Sequence, residues 1–217
     1  MHFEVLVEDP SGKEALERIL PKILGANYSL HSWRLRSYRG LGRIPKDLRG
    51  KTDPQKRILL DRLPRILQGY GHSLPDSASV VVVVDLDRRD CMAFKQELLD
   101  VLNACNPRPT TLFRIAVEES EAWLLGDRQA VKAAYPKARD SVLDRYAQDS
   151  ICDTWELLAD AIHPGGSARL KQKGYPVTGE AKCEWARNIA PNMNVDQNLS
   201  KSFQVFHDGV KRLAGIE

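Results

Sequence analysis

Acidic residues stand at the ends of three apolar segments of this 217-residue chain: Glu8 after FEVLV, Asp85 and Asp87 after a run of five valines, and Glu118, Glu119 and Glu121 after RIAV. Carboxylates brought to one place repel one another and stay ionised only beside a strong countercharge, which a divalent cation supplies. A donor set made of oxygen alone favours Mg²⁺ or Mn²⁺ over zinc. Such a cation serves phosphoryl chemistry by neutralising nonbridging oxygens, activating water and stabilising the leaving oxygen. Asp85 and Asp87 are two residues apart, which in an extended strand turns both carboxylates to the same side. Each acid also has a plain structural use. Glu8 could be a solvated strand end, Asp90 the N-cap of a following helix, and Glu118, Glu119 and Glu121 first-turn acids that complement a helix dipole.

The elements that must position these acids follow from patterning. Phe3 to Glu8 predicts a strand, stopped by Asp9-Pro10. A helix follows, with Ser11 and Glu14 in a capping-box spacing and Ala15, Leu16, Ile19, Leu20, Ile23 and Leu24 on one face; Pro21 kinks it or ends its first section. Leu30 to Tyr38 reads as a second strand and residues 54 to 68 as a second helix, interrupted by Pro64. SVVVVVDLD describes a central strand buried on both faces, which requires covering helices, and residues 91 to 104 supply one. Thr111 to Val117 gives another strand. Helices then fit Ala122 to Leu125, Arg128 to Ala134, Thr154 to Ile162 and Gly179 to Ile189, with HPGGSARLKQKGYP a loop by its Gly and Pro content. Strand and helix alternating at these intervals indicate an α/β fold with a parallel sheet, helices on both faces and a helical C-terminal elaboration. The expected division is an α/β core over residues 1–127 and a mainly helical part over 128–217 packed on it. In open parallel sheets, ligands gather outside the carboxyl ends of the strands, where these acids fall.

A hydrophobic fraction of 42% with 28% charged residues excludes disordered and collagen-like classes. The longest uninterrupted apolar stretch, Val80 to Val84, is far short of the roughly 20 residues of a membrane span. The opening MHFEVLVEDP lacks a basic n-region and reads as a cytoplasmic N-terminus without a signal peptide. The widely spaced Cys91, Cys105, Cys152 and Cys183 read as buried small hydrophobes in a reducing compartment, and no His pattern matches a metal motif. The net charge of +3 conceals an uneven distribution. From His31 to Arg57 nine Lys or Arg, among them Arg34, Arg36, Arg39 and Arg43, face two acids, whereas Ser79 to Asp127 holds nine acids against five bases. A positive strip interleaved with Trp33 and Tyr38 beside a carboxylate cluster suits a metal-dependent enzyme acting on nucleic acid, DNA or RNA; its plainer reading is a solvated surface.

Two motifs fail. Ser11-Gly12-Lys13 lacks the Gly at position 7 and the Ser or Thr at position 14 of a phosphate loop. The Asp pair resembles that of haloacid-dehalogenase-like phosphatases, but Arg89 stands where that pattern has Thr or Val.

The order LVEDPSGKEAL, then VVVVVDLD, resembles the Toprim fold of topoisomerases, primases and overcoming-lysogenization-defect nucleases. IAVEESEAWLLGD, GEAKCEWARNIAP and NLSKSFQVF are similar to segments of the Toprim-like family known as domain of unknown function 4276. The similarity runs from Glu8 to Phe206, and the E-x-E-A-W-L-L-x-D stretch is its most specific part. This resemblance implies a Toprim-like core in which Asp85 and Asp87 ligate Mg²⁺ or Mn²⁺, Glu8 is a ligand or general acid/base, and Glu119 and Glu121 join the metal site. It also singles out Lys182, which could hold a phosphate or pair with an acid, and Ser200 and Ser202. Asp9 and Glu118 depart from the family, which often has Gly and Arg there. The implied activity is that of a nuclease or related phosphotransfer enzyme, in a defence or DNA-maintenance setting with an AAA- or ABC-type ATPase partner. A catalytically inactive scaffold that binds an ATPase or nucleic acid is the alternative, and a small-molecule phosphohydrolase a third.

Overall fold

The computed structural model describes residues 1–45, 57–149 and 153–216. In chain order the elements are β1 (His2–Val7), α1 (Pro10–Leu24), a 3-10 turn (Gly25–Leu30), β2 (Ser32–Ser37), α2 (Leu59–Ser73), β3 (Ala78–Asp85), α3 (Cys91–Asn103) and β4 (Thr111–Ala116). The C-terminal half continues through α4 (Glu121–Leu125), α5 (Arg128–Ala134), α6 (Asp140–Leu143), α7 (Thr154–Ile162), α8 (Gly166–Lys173), α9 (Tyr175–Ile189) and α10 (Lys201–Ala214). The four strands form one parallel sheet in the order β2-β1-β3-β4, with Val5 opposite Val81 and Val82 opposite Phe113. This is the α/β architecture expected from the alternation of patterns.

The valine run sits inside the sheet and is buried on both faces. Alternation sorts its side chains. Val81 and Val83, with Phe3, Val5 and Val7 of β1, pack into a core shared with α1, α9 and α10. Val80, Val82 and Val84, with Leu6, pack against α2 and α3. Without helices on either side, these valines would face water at a loss of roughly 25 cal/mol per Å² of apolar surface. The C-terminal helices belong to the first of these cores. Trp123 of α4 stacks on Phe206 of α10 with centroids 4.9 Å apart, meets Phe203 edge-on at 5.6 Å, and donates its Nε1–H to Ser202 Oγ at 2.9 Å.

Several local expectations are corrected. The N-cap of α1 is Asp9, whose Oδ1 accepts the Gly12 N–H at 2.8 Å, so the Ser11/Glu14 capping box does not form. Pro21 and Pro64 both lie inside helices that continue past them, since each removes only one hydrogen bond from a helix held by its buried face. The segment expected to be a loop before α9 contains α8, begun by Gly165 and Gly166 at positive φ and propagated by SARLKQK, while α9 begins at Tyr175 rather than Gly179. Cys105 is buried as expected, but Cys91 is exposed at the start of α3 and Cys183 is half-buried; Cys152 lies outside the described residues. No helix among the described residues is long and apolar enough to cross a membrane.

Removing a large side chain from the shared core should destabilise the whole chain. Phe203→Ala is expected to cost about 3–5 kcal/mol in chemical denaturation. A loss below about 1 kcal/mol would contradict the packing of α10 on the sheet.

Candidate functional site

The crossover from β1 leads to β2 on one side, and the next, from β2, passes back across β1 to β3 on the other, so the strand order reverses between β1 and β3. A crevice opens outside the carboxyl ends of strands at such a point. Here it is a cavity of about 1150 Å³ lined by Glu8 and Asp9 after β1, Asp85 and Asp87 at and after β3, Glu119 before α4, and Lys182 from α9. Arg39 and Arg187 also face it. The proximity of Asp85 and Asp87 does not arise as expected. β3 stops at Asp85, and Asp87 has a left-handed backbone (φ 50°), so strand alternation does not orient the pair. A turn does: Asp87 N–H donates to the carbonyl of Glu118 at 3.0 Å, and Glu118 is itself left-handed (φ 69°). Such conformations are costly for residues with a Cβ and concentrate where geometry serves a site.

Lys182 is the cation at the centre of these acids. Its Nζ lies 3.1 Å from Glu121 Oε2, and both side chains are largely buried. Burial opposes its charge, but Glu121, Glu119, Asp9 and Asp85 outweigh burial and hold the ammonium above the usual lysine range. One lysine does not neutralise all of these carboxylates. Burial pushes Glu8 up to about 7; the backbone N–H of Asp85, donating to Glu8 Oε2 at 3.1 Å, opposes the rise, whereas Asp87 and Asp9 add to it. Asp85 is raised well above the carboxylate range by burial, then by Glu8, Asp9 and Glu121. Glu119 reaches about 7 through burial, against the pull of Lys182, and Glu121 is raised by burial despite its lysine. Protons thus take up charge that the protein's own cation leaves uncompensated.

Two of the acids hold structure together. Glu119 Oε2 accepts from Thr154 Oγ1 at 3.1 Å and from the Trp155 N–H at 3.2 Å, closing the start of α7. Glu121 Oε1 accepts from Ser11 Oγ at 3.2 Å, linking α4 to α1. Among the described residues no group of three or more His, Cys, Asp or Glu side chains stands arranged to hold a metal ion. The donor chemistry nevertheless suits a hard cation at Glu8, Asp85 and Asp87: the donors are oxygen alone, and Glu8 and Asp85 hold protons in place of positive charge. Glu119 and Glu121 are already engaged. Ser200 and Ser202 serve the fold instead: Ser200 caps α10, and both hydroxyls reach Asp149 Oδ1, at 2.9 and 3.4 Å.

The basic strip is divided rather than continuous. Arg39 lines the carboxylate cleft, Arg34 and Arg36 line a separate cavity at β2, and Arg43 lines a third beside α3. Lys46, Arg49, Lys51 and Lys56 lie outside the described residues. Arg62 and Arg65, which share the cavity of Arg34 and Arg36, fall beyond the counted strip, though continuing the charge count past Arg57 would have reached them. Arg187 gives no signal in sequence, since a helical basic residue reads as solvated.

Two expectations follow. Glu8 and Glu119 hold protons to about pH 7 when folded, against 4.5 for a free side chain. A raised carboxyl pKa contributes stability that is complete below about 4.5 and lost as pH rises through about 7. The melting temperature of metal-free protein should therefore fall by about 5 °C from pH 5 to pH 8, and Glu8→Gln should flatten the slope; a rise over that window would refute the arrangement. Lys182→Met strands Glu121 as a buried charge and should cost about 3–5 kcal/mol, and adding Glu121→Gln should recover most of it. Denaturation of the double variant no more stable than the single one would show that the pair is not the source.

No curated protein and no solved structure matches the chain. A family model does, over residues 7–211, from the last residue of β1 through β2, β3, β4, the carboxylate cleft and Lys182 to Lys211 of α10. The chain therefore belongs to the family described as Domain of unknown function (DUF4276).

Proposed function

We propose that this is a Toprim-like, Mg²⁺- or Mn²⁺-dependent phosphodiesterase acting on nucleic acid, with its reaction centre in the cleft between the ends of β1 and β3. The observation that carries this reading is the surplus of carboxylates at the strand-order reversal, most of them half-buried, lining a cavity that also presents Arg39, Lys182 and Arg187. Glu8, Asp85 and Asp87 would hold the cation, which would supply charge neutralisation at a phosphoryl group and activation of water. The chain's own residues supply the rest. Glu8, fixed through Oε2 by the Asp85 N–H and titrating near neutrality, is suited to move a proton at the pH where it works. Arg39 and Arg187 offer donors for phosphate oxygens at the cleft wall. Lys182, already committed to Glu121, keeps that wall from collapsing under repulsion.

A second reading, a binding scaffold that cuts nothing, draws support from the same ion pair, because a lysine at the heart of the cluster neutralises part of the charge that a metal would otherwise meet. Calorimetric titration with Mn²⁺ separates the two: carboxylate-dependent binding belongs to the enzyme, its absence to the scaffold.

The direct test is cleavage of a labelled oligonucleotide with Mn²⁺. Asp85→Asn with Asp87→Asn is expected to abolish it while circular dichroism stays native, and Glu8→Gln to lower the rate by about 10²- to 10⁴-fold. Undiminished cleavage by the folded double variant would overturn the proposal.

A further inference from the structure

The cavity at β2 is chemically the reverse of the cleft. It has a volume of about 600 Å³, and among the described residues its wall carries Lys13, Arg34, Arg36, Arg57, Arg62 and Arg65 and no acidic side chain. One carboxylate underlies it. Glu4, buried in β1, accepts from Arg36 Nε at 3.3 Å and from the Tyr70 hydroxyl at 2.8 Å. Lys13 pairs with Glu17, and Arg57 donates to the carbonyl of Ser37. Arg34, Arg62 and Arg65 have no carboxylate partner among the described residues. Guanidinium groups gathered from a strand and a helix, with their forks unclaimed, match the oxygens of phosphate.

The cavity is joined to the cleft by backbone. Ser37 and Tyr38 wall the basic cavity, and the next two residues, Arg39 and Gly40, wall the carboxylate cleft. Four extended residues reach about 13 Å, so a chain of phosphates can lie across both. Of the two tyrosines in the wall, Tyr38 is 6% exposed and Tyr70 is half-buried with its hydroxyl committed to Glu4, so charged groups dominate what the cavity presents.

We infer that the basic cavity at β2 is a grip for the sugar-phosphate backbone of a nucleic-acid strand, indifferent to base sequence, that leads the strand into the cleft. This rests on the reading of the cleft as the reaction centre for nucleic acid, but it can be measured without catalysis. Binding of fluorescent single-stranded DNA and RNA 20-mers by anisotropy in EDTA, over a series of salt concentrations, provides the test. Arg34→Gln, Arg62→Gln and Arg65→Gln combined should weaken binding by about 10²-fold at 0.1 M salt and lower the salt slope by about 2 to 3, the share of three phosphate contacts. Lys137→Gln, Arg169→Gln and Lys201→Gln combined remove the same charge from exposed positions elsewhere and should leave both nearly unchanged. Equal losses in the two triple variants, or no loss in the first with its melting temperature intact, would overturn the inference. So would arginine-dependent binding of a nucleoside triphosphate without binding of the 20-mers, which would make the cavity a small-anion site. Because EDTA removes cleavage from the measurement, a failure here leaves the Asp85→Asn, Asp87→Asn result standing, and a failure there leaves this one.

Discussion

Burial of β3 on both faces is the constraint from which the architecture follows. A strand with valine at five successive positions, odd and even alike, cannot border water on either side, so helices must cover both. The chain meets this with α2 and α3 on one side and with α1 and the C-terminal helices on the other. That asymmetry has a functional result. The side covered by later helices is where α9 brings Lys182 over the strand ends, so a residue 97 positions beyond Asp85 becomes its neighbour in charge.

Lys182 and the carboxylates then set the balance of the cleft. A lone buried cation among several acids fixes α4 against α9 through Glu121 and leaves Glu8 and Asp85 with charge that only protons satisfy. Uncompensated carboxylates destabilise a folded chain, and their persistence at a crevice is the kind of local disadvantage that a bound cation relieves. The left-handed turns at Asp87 and Glu118 belong to the same economy of strain, since each carries an acid where glycine would be relaxed.

Much of this was legible in the residues. Five valines bounded by polar residues defined β3; Arg128–Ala134 matches a helix that Asp127 caps, and Thr154–Ile162 matches by apolar spacing, its start being held by the distant Glu119. Elsewhere two signals compete in the residues, and the structure follows the less conspicuous one. HPGGSARLKQKGYP reads as a loop by composition, yet its glycines only begin a helix that good helix formers continue. Ser11 offers a capping-box spacing, but Asp9, two residues earlier and followed by Pro10, caps first. The carboxylate site was visible as acids at strand ends, whereas its countercharge was not: nothing local to Lys182 distinguishes it from a solvated helical lysine, and only the resemblance singled it out. Its role depends on packing between elements far apart in sequence.

The arginines of β2 have one further consequence. β2 is one of the two outer strands of the sheet, so among the described residues one side of its backbone is not paired with another strand. Exposed edges of this kind recruit strands from neighbouring molecules unless something repels them, and Arg34 and Arg36 place two positive charges on alternate positions of it. When a polyanion masks those charges, that electrostatic guard is withdrawn. Colloidal behaviour of the protein would therefore respond to a polyanion held in the basic cavity at low salt and, once salt has displaced it, to screening by the salt itself.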